Sequence, residues 1–398
     1  MITNYYELAD RAPQVAVHSK PVESIDNPLD ITINFDLRAF CQLDGGNPDI
    51  EYDIRFINAL SGQTVYSCKL KSGHWAASSF AFFVPWRIEV TSPDGKAQVF
   101  PLDLKGQRVF IRFDSSALGD TIAWLPIAVE FQKVHECKLF ISTYHNDLCR
   151  LFYPALEYVG LGESVDDAYA GYKLGIYGDG AQSNWNPRDT RTRPLQATAS
   201  DILGLKYREL RPPGPTWTKE IQPRSILPAC KPQVAISTTA TAQAKFWNRT
   251  GAWQVVVDHL KDQGFEVIAI QKENPQLRNV RHINTPTPID AARALAGCVF
   301  CVGLGSGIPW LAWALGKKVV MISGFSDPMC EFQADNYRVT SAAGACTGCF
   351  NDPAHAFDRA DWLWCPRKRN FECTASITPE VVIEQIERLR ADLWKQSI

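Results

Sequence analysis

The chain has 398 residues, too many for one ordinary core, so two or three domains are expected. Its apolar fraction of 45% and charged fraction of 21% are those of a folded, well-packed protein. A formal net charge of −2 supplies no broad basic field, which argues against non-specific nucleic-acid binding.

Residues 1–30 carry Asp10, Arg11, Lys20 and Glu23 and no apolar stretch of the kind a secretory signal needs. Twelve cysteines are then not a disulfide framework. Cys41, Cys68, Cys137, Cys149, Cys230, Cys298, Cys301 and Cys330 lie in apolar stretches, where a small buried hydrophobe is the default. The twelve tryptophans are read first as core packing, with sugar platforms or an oligomer interface as the alternative.

Short alternating runs between about Ile31 and Leu104, punctuated by Gly, Asp and Pro, predict a small β-barrel or sandwich over residues 1–105. Its strands include Ile31–Phe35, Tyr52–Phe56, Thr64–Cys68, Phe80–Val84, Trp86–Val90 and Ala97–Phe100. From Arg108 onward strands alternate with helices, the grammar of a parallel α/β sheet, and one such domain is assigned to residues 106–215. Its helix is predicted from Thr121 to about Val134. Pro212, Pro213, Pro215, Pro223, Pro228 and Pro232 make an interdomain hinge. A second α/β series fills residues 216–398 and ends in an amphipathic helix from Pro379 to about Lys395, with Val382, Ile383, Ile386 and Leu389 on one face.

The longest uncharged run, Ala294 to Gly316, has the length of a membrane span. Gly303, Gly305, Gly307 and Pro309 break its centre, and lipid would leave those loop amides unsatisfied. A buried strand, loop and helix is expected instead, and with it a cytoplasmic protein. Two α/β domains joined by a hinge place ligands in the cleft beyond the carboxyl ends of the strands.

Several residues could carry chemistry there. Asp114 follows the strand Arg108–Phe113 and would serve as general base for an acceptor hydroxyl. Asp120 reads as a helix cap. In the second domain a strand ends in a hydroxyl-rich loop with Thr239, Thr241 and Lys245, groups suited to a diphosphate. Gly305-Ser306-Gly307 makes a glycine-rich turn into a helix, an anion cradle of backbone amides. Glu273, after the next strand, could hold a ribose diol.

The remaining cysteines run Cys346-x2-Cys349-x15-Cys365-x7-Cys373, the spacing of a metal knuckle with a second pair one loop away. Polar, turn-forming segments between them could not fold on a hydrophobic core, so residues 343–376 read as a structural metal finger. Thiolates in a tetrahedral set suit zinc or iron equally.

The segment Arg112 to Pro126 resembles the N-terminal signature of lipopolysaccharide heptosyltransferases, and Gly303 to Gly324 their C-terminal one. With the stretch Thr241 to Asn248 and the cysteine tetrad, the likeness is closer to the bacterial autotransporter heptosyltransferases and covers nearly the whole chain. It implies a GT-B fold with two Rossmann-like domains facing a cleft, ADP-heptose as donor and serine hydroxyls of an autotransporter adhesin passenger as acceptors. It also implies Asp114 as base, Lys245 as phosphate ligand, iron in the finger and a large ring, with a dodecamer as the candidate size, as the assembly. One departure stands out: the lipopolysaccharide signature reads Asp-Ser-Gly followed by a histidine, where this chain has Gly305-Ser306-Gly307 and Trp310. That departure disfavours the lipopolysaccharide-core enzyme, which remains the alternative together with a non-catalytic, metal-stapled scaffold.

Overall fold

A computed structural model of the chain describes residues 18–19, 28–177, 183–219, 231–355 and 363–395. Pro223, Pro228 and Cys230 lie outside the described residues.

The N-terminal strands are β1 (His18–Ser19), β2 (Asp30–Asp36), β3 (Phe40–Asp44), β4 (Tyr52–Asn58), β5 (Thr64–Leu70), β6 (His74–Ala77), β7 (Trp86–Thr91) and β8 (Ala97–Pro101). They do not close into a barrel. β4, β5, β7 and β8 form an antiparallel sheet of their own, in the order β5-β4-β7-β8. The others join the first α/β unit, which consists of β9 (Arg108–Phe113), α1 (Leu118–His135), β10 (Lys138–Ser142), α2 (Asn146–Phe152), β11 (Glu157–Tyr158), β12 (Ala170–Leu174) and α3 (Leu195–Ile202). One sheet runs β1-β6-β3-β2-β12-β9-β10-β11, with the seam made by parallel pairing of β2 with β12. Position 105 is therefore not a break between separately folded sheets.

Phe80–Val84, expected as a strand, is buried irregular chain. Its apolar side chains wedge between the sheets instead of pairing. Phe83 N–H donates to the Ile202 carbonyl at 2.8 Å and Ala81 N–H to the Asn184 carbonyl at 2.7 Å. The backbone polar groups are satisfied without a ladder.

The second unit comprises β13 (Gln233–Ser237), α4 (Ala252–Asp262), β14 (Glu266–Gln271), β15 (Arg281–Asn284), α5 (Pro288–Ala296), β16 (Phe300–Leu304), α6 (Gly307–Ala314), β17 (Lys318–Ile322), β18 (Asn336–Val339), α7 (Glu372–Ala375) and α8 (Pro379–Lys395). Its sheet is wholly parallel, in the order β15-β14-β13-β16-β17-β18. That is the doubly wound arrangement, covered on both faces, and β13 and β16 are buried along their whole length as it requires. Local signals agree: Thr287 and Asp290 form a capping box around Pro288 at the start of α5. Helix α8 buries Val382, Ile386 and Leu389 completely, on the predicted face.

Among the described residues, no helix is long and apolar enough to cross a membrane. The uncharged run from Ala294 is β16, its loop and α6, as expected from its glycines.

Helix α1 is apolar nearly all round and correspondingly buried. It packs against α6 of the second unit, and one apolar core runs through that contact from the first sheet to the second. The approach is close because small residues permit it. A Cβ on Gly307 would lie 2.8 Å from Leu118 Cβ, and one on Gly119 would lie 3.3 Å from Trp310 Cδ1. Gly307→Ala should therefore cost about 1–3 kcal/mol by overpacking. In urea unfolding, adding Leu118→Gly, which removes the Cβ that the new methyl would strike, should make the double variant more stable than the sum of the single changes predicts, by about 1 kcal/mol.

Candidate active site

Each α/β sheet has one point where the strand order reverses. In the first it lies between β9 and β12, and in the second between β13 and β16. The α1–α6 contact sets these two points facing each other across a cavity of about 530 Å³. Its walls are the loop from Asp114 to Asp120 on one side, and Thr241, Lys245 and the Gly305–Gly307 turn on the other. Ligand pockets of open α/β sheets form at such reversals.

The second unit contributes the side whose groups suit an anion. Helix α6 begins at Gly307, and its N-cap Ser306 makes no side-chain cap, so first-turn amides stand open at the pocket wall. Lys245 reaches the same cavity and, among the described residues, forms no ion pair. Thr239 is not part of the cavity wall, and Glu273 stands exposed beyond the end of β14, one strand away from the reversal.

The first unit contributes two carboxylates in different states. Asp114 leaves β9 with its N–H donated to the Leu174 carbonyl at 2.7 Å, and its side chain pairs with Lys173 Nζ at 3.0 Å. Asp120 is not the cap its position suggested: the N-cap of α1 is Ala117, without a side-chain bond. Its carboxylate turns into the pocket and accepts the Ser115 hydroxyl at 2.6 Å. Burial pushes the Asp120 carboxyl above the usual range, and the Ser115 hydrogen bond and the nearby Lys245 charge offset this only in part. The sequence carried no sign of this, because Asp one turn into a helix is an ordinary N-terminal residue; only the facing lysine gives it a role.

Trp310 also lines the cavity. It is 4% exposed, wedged against Gly119 and packed edge-on to Trp313 and Phe332, so it carries shape rather than charge.

The four finger cysteines are all buried and converge. Burial raises the thiols of Cys346, Cys349 and Cys373 above the ordinary range, Cys373 to about 12, and neighbouring finger sulfurs add to the rise in each. Among the described residues no group of three or more Cys, His, Asp or Glu stands in ligating geometry, so the sulfurs gather without forming a closed metal cage. Two features nonetheless fit a metal staple. The Arg369 N–H donates to Cys365 Sγ at 3.2 Å, the backbone support a thiolate ligand needs. The loop between the last two cysteines holds Lys368, Asn370 and Phe371 at positive φ, an arrangement that persists only where something over-determines it. The finger is also clamped to the first unit. Arg191, 1% exposed, donates to the carbonyls of Asp352 at 3.1 Å and of His355, while the Asn351 amide donates back to the Arg191 carbonyl. Phe350 and Leu363 of the finger reach the cavity wall.

Comparison with known proteins supports the same architecture. The profile of glycosyltransferase family 9 (heptosyltransferase) matches residues 191–353. The chain is 35% identical over 370 residues to the autotransporter heptosyltransferase BAHTCr of Citrobacter rodentium, with 88% of both chains covered. To the autotransporter heptosyltransferase TibC of Escherichia coli it is 34% identical over 370 residues, again with 88% of both covered. Crystal structures of TibC, an iron-containing dodecameric glycosyltransferase also solved with ADP-D-β-D-heptose, match with a TM-score of 0.82 at 32% identity, over 94% of this chain and 100% of that one. The inactive autotransporter heptosyltransferase BimC of Burkholderia thailandensis is 30% identical over 358 residues, covering 86% of this chain and 81% of its own. Kinship with both active and inactive proteins means that activity has to be argued from the site. The fold, the paired reversal points and these relatives agree, and the chain belongs to the autotransporter heptosyltransferase family, on the GT-B fold of glycosyltransferase family 9.

Proposed function

We propose that the protein transfers heptose from ADP-heptose to serine hydroxyls of an autotransporter adhesin. It would do so in the cytoplasm, as a subunit of a large ring of copies such as the dodecamer described for TibC. The observation that carries this reading is the meeting of Asp120 and Lys245 across one cavity, a raised carboxylate facing an unpaired cation. A scaffold with a degenerate sugar site has no use for a desolvated carboxylate opposite an open anion cradle.

The reaction is a direct displacement at the anomeric carbon. The serine oxygen forms a bond to that carbon as the bond to the diphosphate oxygen breaks, and ADP departs with the electron pair. Lys245, the Thr241 hydroxyl and the amides of Gly305, Ser306 and Gly307 stabilise the leaving diphosphate, the larger contribution. The adenosine end runs outward past the carboxyl end of β14, where Thr239 and Glu273 take the nucleoside. Asp120 receives the serine proton. Asp114, the base expected from strand-end placement, is held by Lys173 and positions the acceptor side of the loop.

The finger is assigned to iron, with zinc as the alternative, held by the thiolates of Cys346, Cys349, Cys365 and Cys373. Bound there, the metal supplies a structural crosslink, since four thiolates leave no open position. This chain's own residues do the rest: Arg191 ties the finger to the first unit, and Phe350 shapes the cavity wall.

Asp120→Asn should lower kcat by roughly 10²–10⁴-fold while keeping donor affinity. Asp114→Asn should lose far less, and the reverse order would give the base role back to Asp114. Lys245→Ala should raise the Kd for ADP-heptose.

The acid limb of kcat/KM in the wild type should lie above the ordinary carboxylate value of about 3.9. The same shift has a stability sign. A carboxyl whose folded pKa is raised contributes stability that is fully present below its unfolded pKa and lost as pH rises through the folded one. Asp120→Asn should therefore melt no lower than wild type at pH 7, which separates lost chemistry from lost folding.

Metal analysis of purified protein should find about one iron per chain. Cys349→Ser and Cys373→Ser should each remove it and lower the melting temperature. Intact-mass measurement of an adhesin passenger co-expressed with the protein should show increments of one heptose. An unmodified passenger beside a modified lipid-linked core sugar would favour the lipopolysaccharide acceptor instead.

A further inference from the structure

A third carboxylate borders the cavity, beside Gly305 of the glycine-rich turn. Glu331 is 7% exposed, and its Oε1 accepts the Ser326 hydroxyl at 2.6 Å while Oε2 meets the Arg338 guanidinium. Arg338 is itself held by the Ser326 carbonyl at 2.9 Å. A buried ion pair is a weak source of stability, because desolvating both charges offsets most of their attraction. Its placement at the wall of the cavity therefore asks for another account.

Gly305 supplies it. A Cβ at this position would lie 3.2 Å from Glu331 Oε1 and 3.4 Å from Ser323 Oγ. The residue is not among those with left-handed backbone, so glycine is not required there by conformation. What its missing side chain does is leave Glu331 uncovered.

We propose that Glu331 is a specificity-determining residue that accepts hydrogen bonds from hydroxyls of the donor sugar, through the gap left by Gly305. The proposal rests on the diphosphate lying against Lys245 and the first turn of α6, as argued above. A carboxylate beside that cradle would repel more phosphate, so the group next to it must be neutral and rich in hydroxyl donors, which describes a polyol sugar. Ser326 and Arg338 occupy only part of the lone-pair capacity of the carboxylate, leaving acceptor sites free. The Arg338 guanidinium balances the Glu331 carboxylate, so the pair adds no net negative charge beside the diphosphate.

The test compares the Kd of ADP with that of ADP-D-β-D-heptose by calorimetry, on the full-length protein. In wild type the sugar nucleotide should bind more tightly than ADP. Glu331→Gln should shrink that preference by roughly 10-fold or more, the effect of removing hydrogen bonds to a charged acceptor. Gly305→Ala, which covers Glu331 and leaves the ion pair with Arg338 intact, should shrink it in the same sense. It also decides the matter should Glu331→Gln fail to fold.

A ratio of the two constants unchanged in both variants overturns the proposal and leaves Glu331 with a purely structural role. A wild type that binds neither compound overturns the donor assignment itself, so the two failures are told apart.

Discussion

The packing of α1 against α6 is the contact on which the site depends. Each α/β sheet presents a reversal point of its own, and each would offer a shallow crevice alone. Because the helices that leave these points share one core, the two crevices close on each other as a single cavity. The steric terms are strict: Gly307 has room for no side chain beside Leu118, and Gly119 lies against the face of Trp310. Trp310 fills that contact as a packing wedge and brings no ionisable group to the cavity wall.

The carboxylates at the cavity wall and behind it are sorted by their partners. Asp114 is matched by Lys173, Glu331 by Arg338, and Asp201, behind the wall, by Arg193. Asp120 and Lys245 are left without an ion-pair partner among the described residues, each within the field of the other. In a cavity of low effective dielectric, paired groups hold still and unpaired ones interact strongly with whatever enters. Two of the three carboxylates that line the cavity, Asp114 and Glu331, thus carry a cation of their own, and only Asp120 faces the cavity without one.

Much of this was legible in the sequence, for identifiable reasons. The second sheet could be read strand by strand because its strands are continuous apolar runs bounded by turns, and α8 because its buried residues fall at helical spacing. The Thr241–Lys245 loop and the Gly305–Gly307 turn were recognisable because both follow such strands. What escaped were properties set by distant chain. Phe80–Val84 has strand composition, yet it is a wedge, since its backbone finds partners at Asn184 and Ile202. The N-terminal strands alternate as barrel strands do, and nothing local says that β2 pairs with β12. Asp120 looked like a cap because the lysine whose charge reaches it, Lys245, comes from the other unit. Glu331 drew no notice, because its meaning depends on a side chain that Gly305 lacks.

The pairing of β2 with β12 has a consequence for how the chain comes into being. During synthesis β2, β3 and β6 emerge early, whereas β12 follows only after β9, α1, β10 and β11 have been made. Until then the nascent sheet presents β2 as an open edge, the kind of surface to which foreign strands add. The strand carries Asp30 at its start and Asp36 at its end, charges that discourage such pairing. In the finished protein Asp36 receives both terminal nitrogens of the Arg112 guanidinium, at 2.8 and 3.1 Å. The residue that would guard the edge while the chain is incomplete becomes, once β9 and β12 have docked, the one that fastens it.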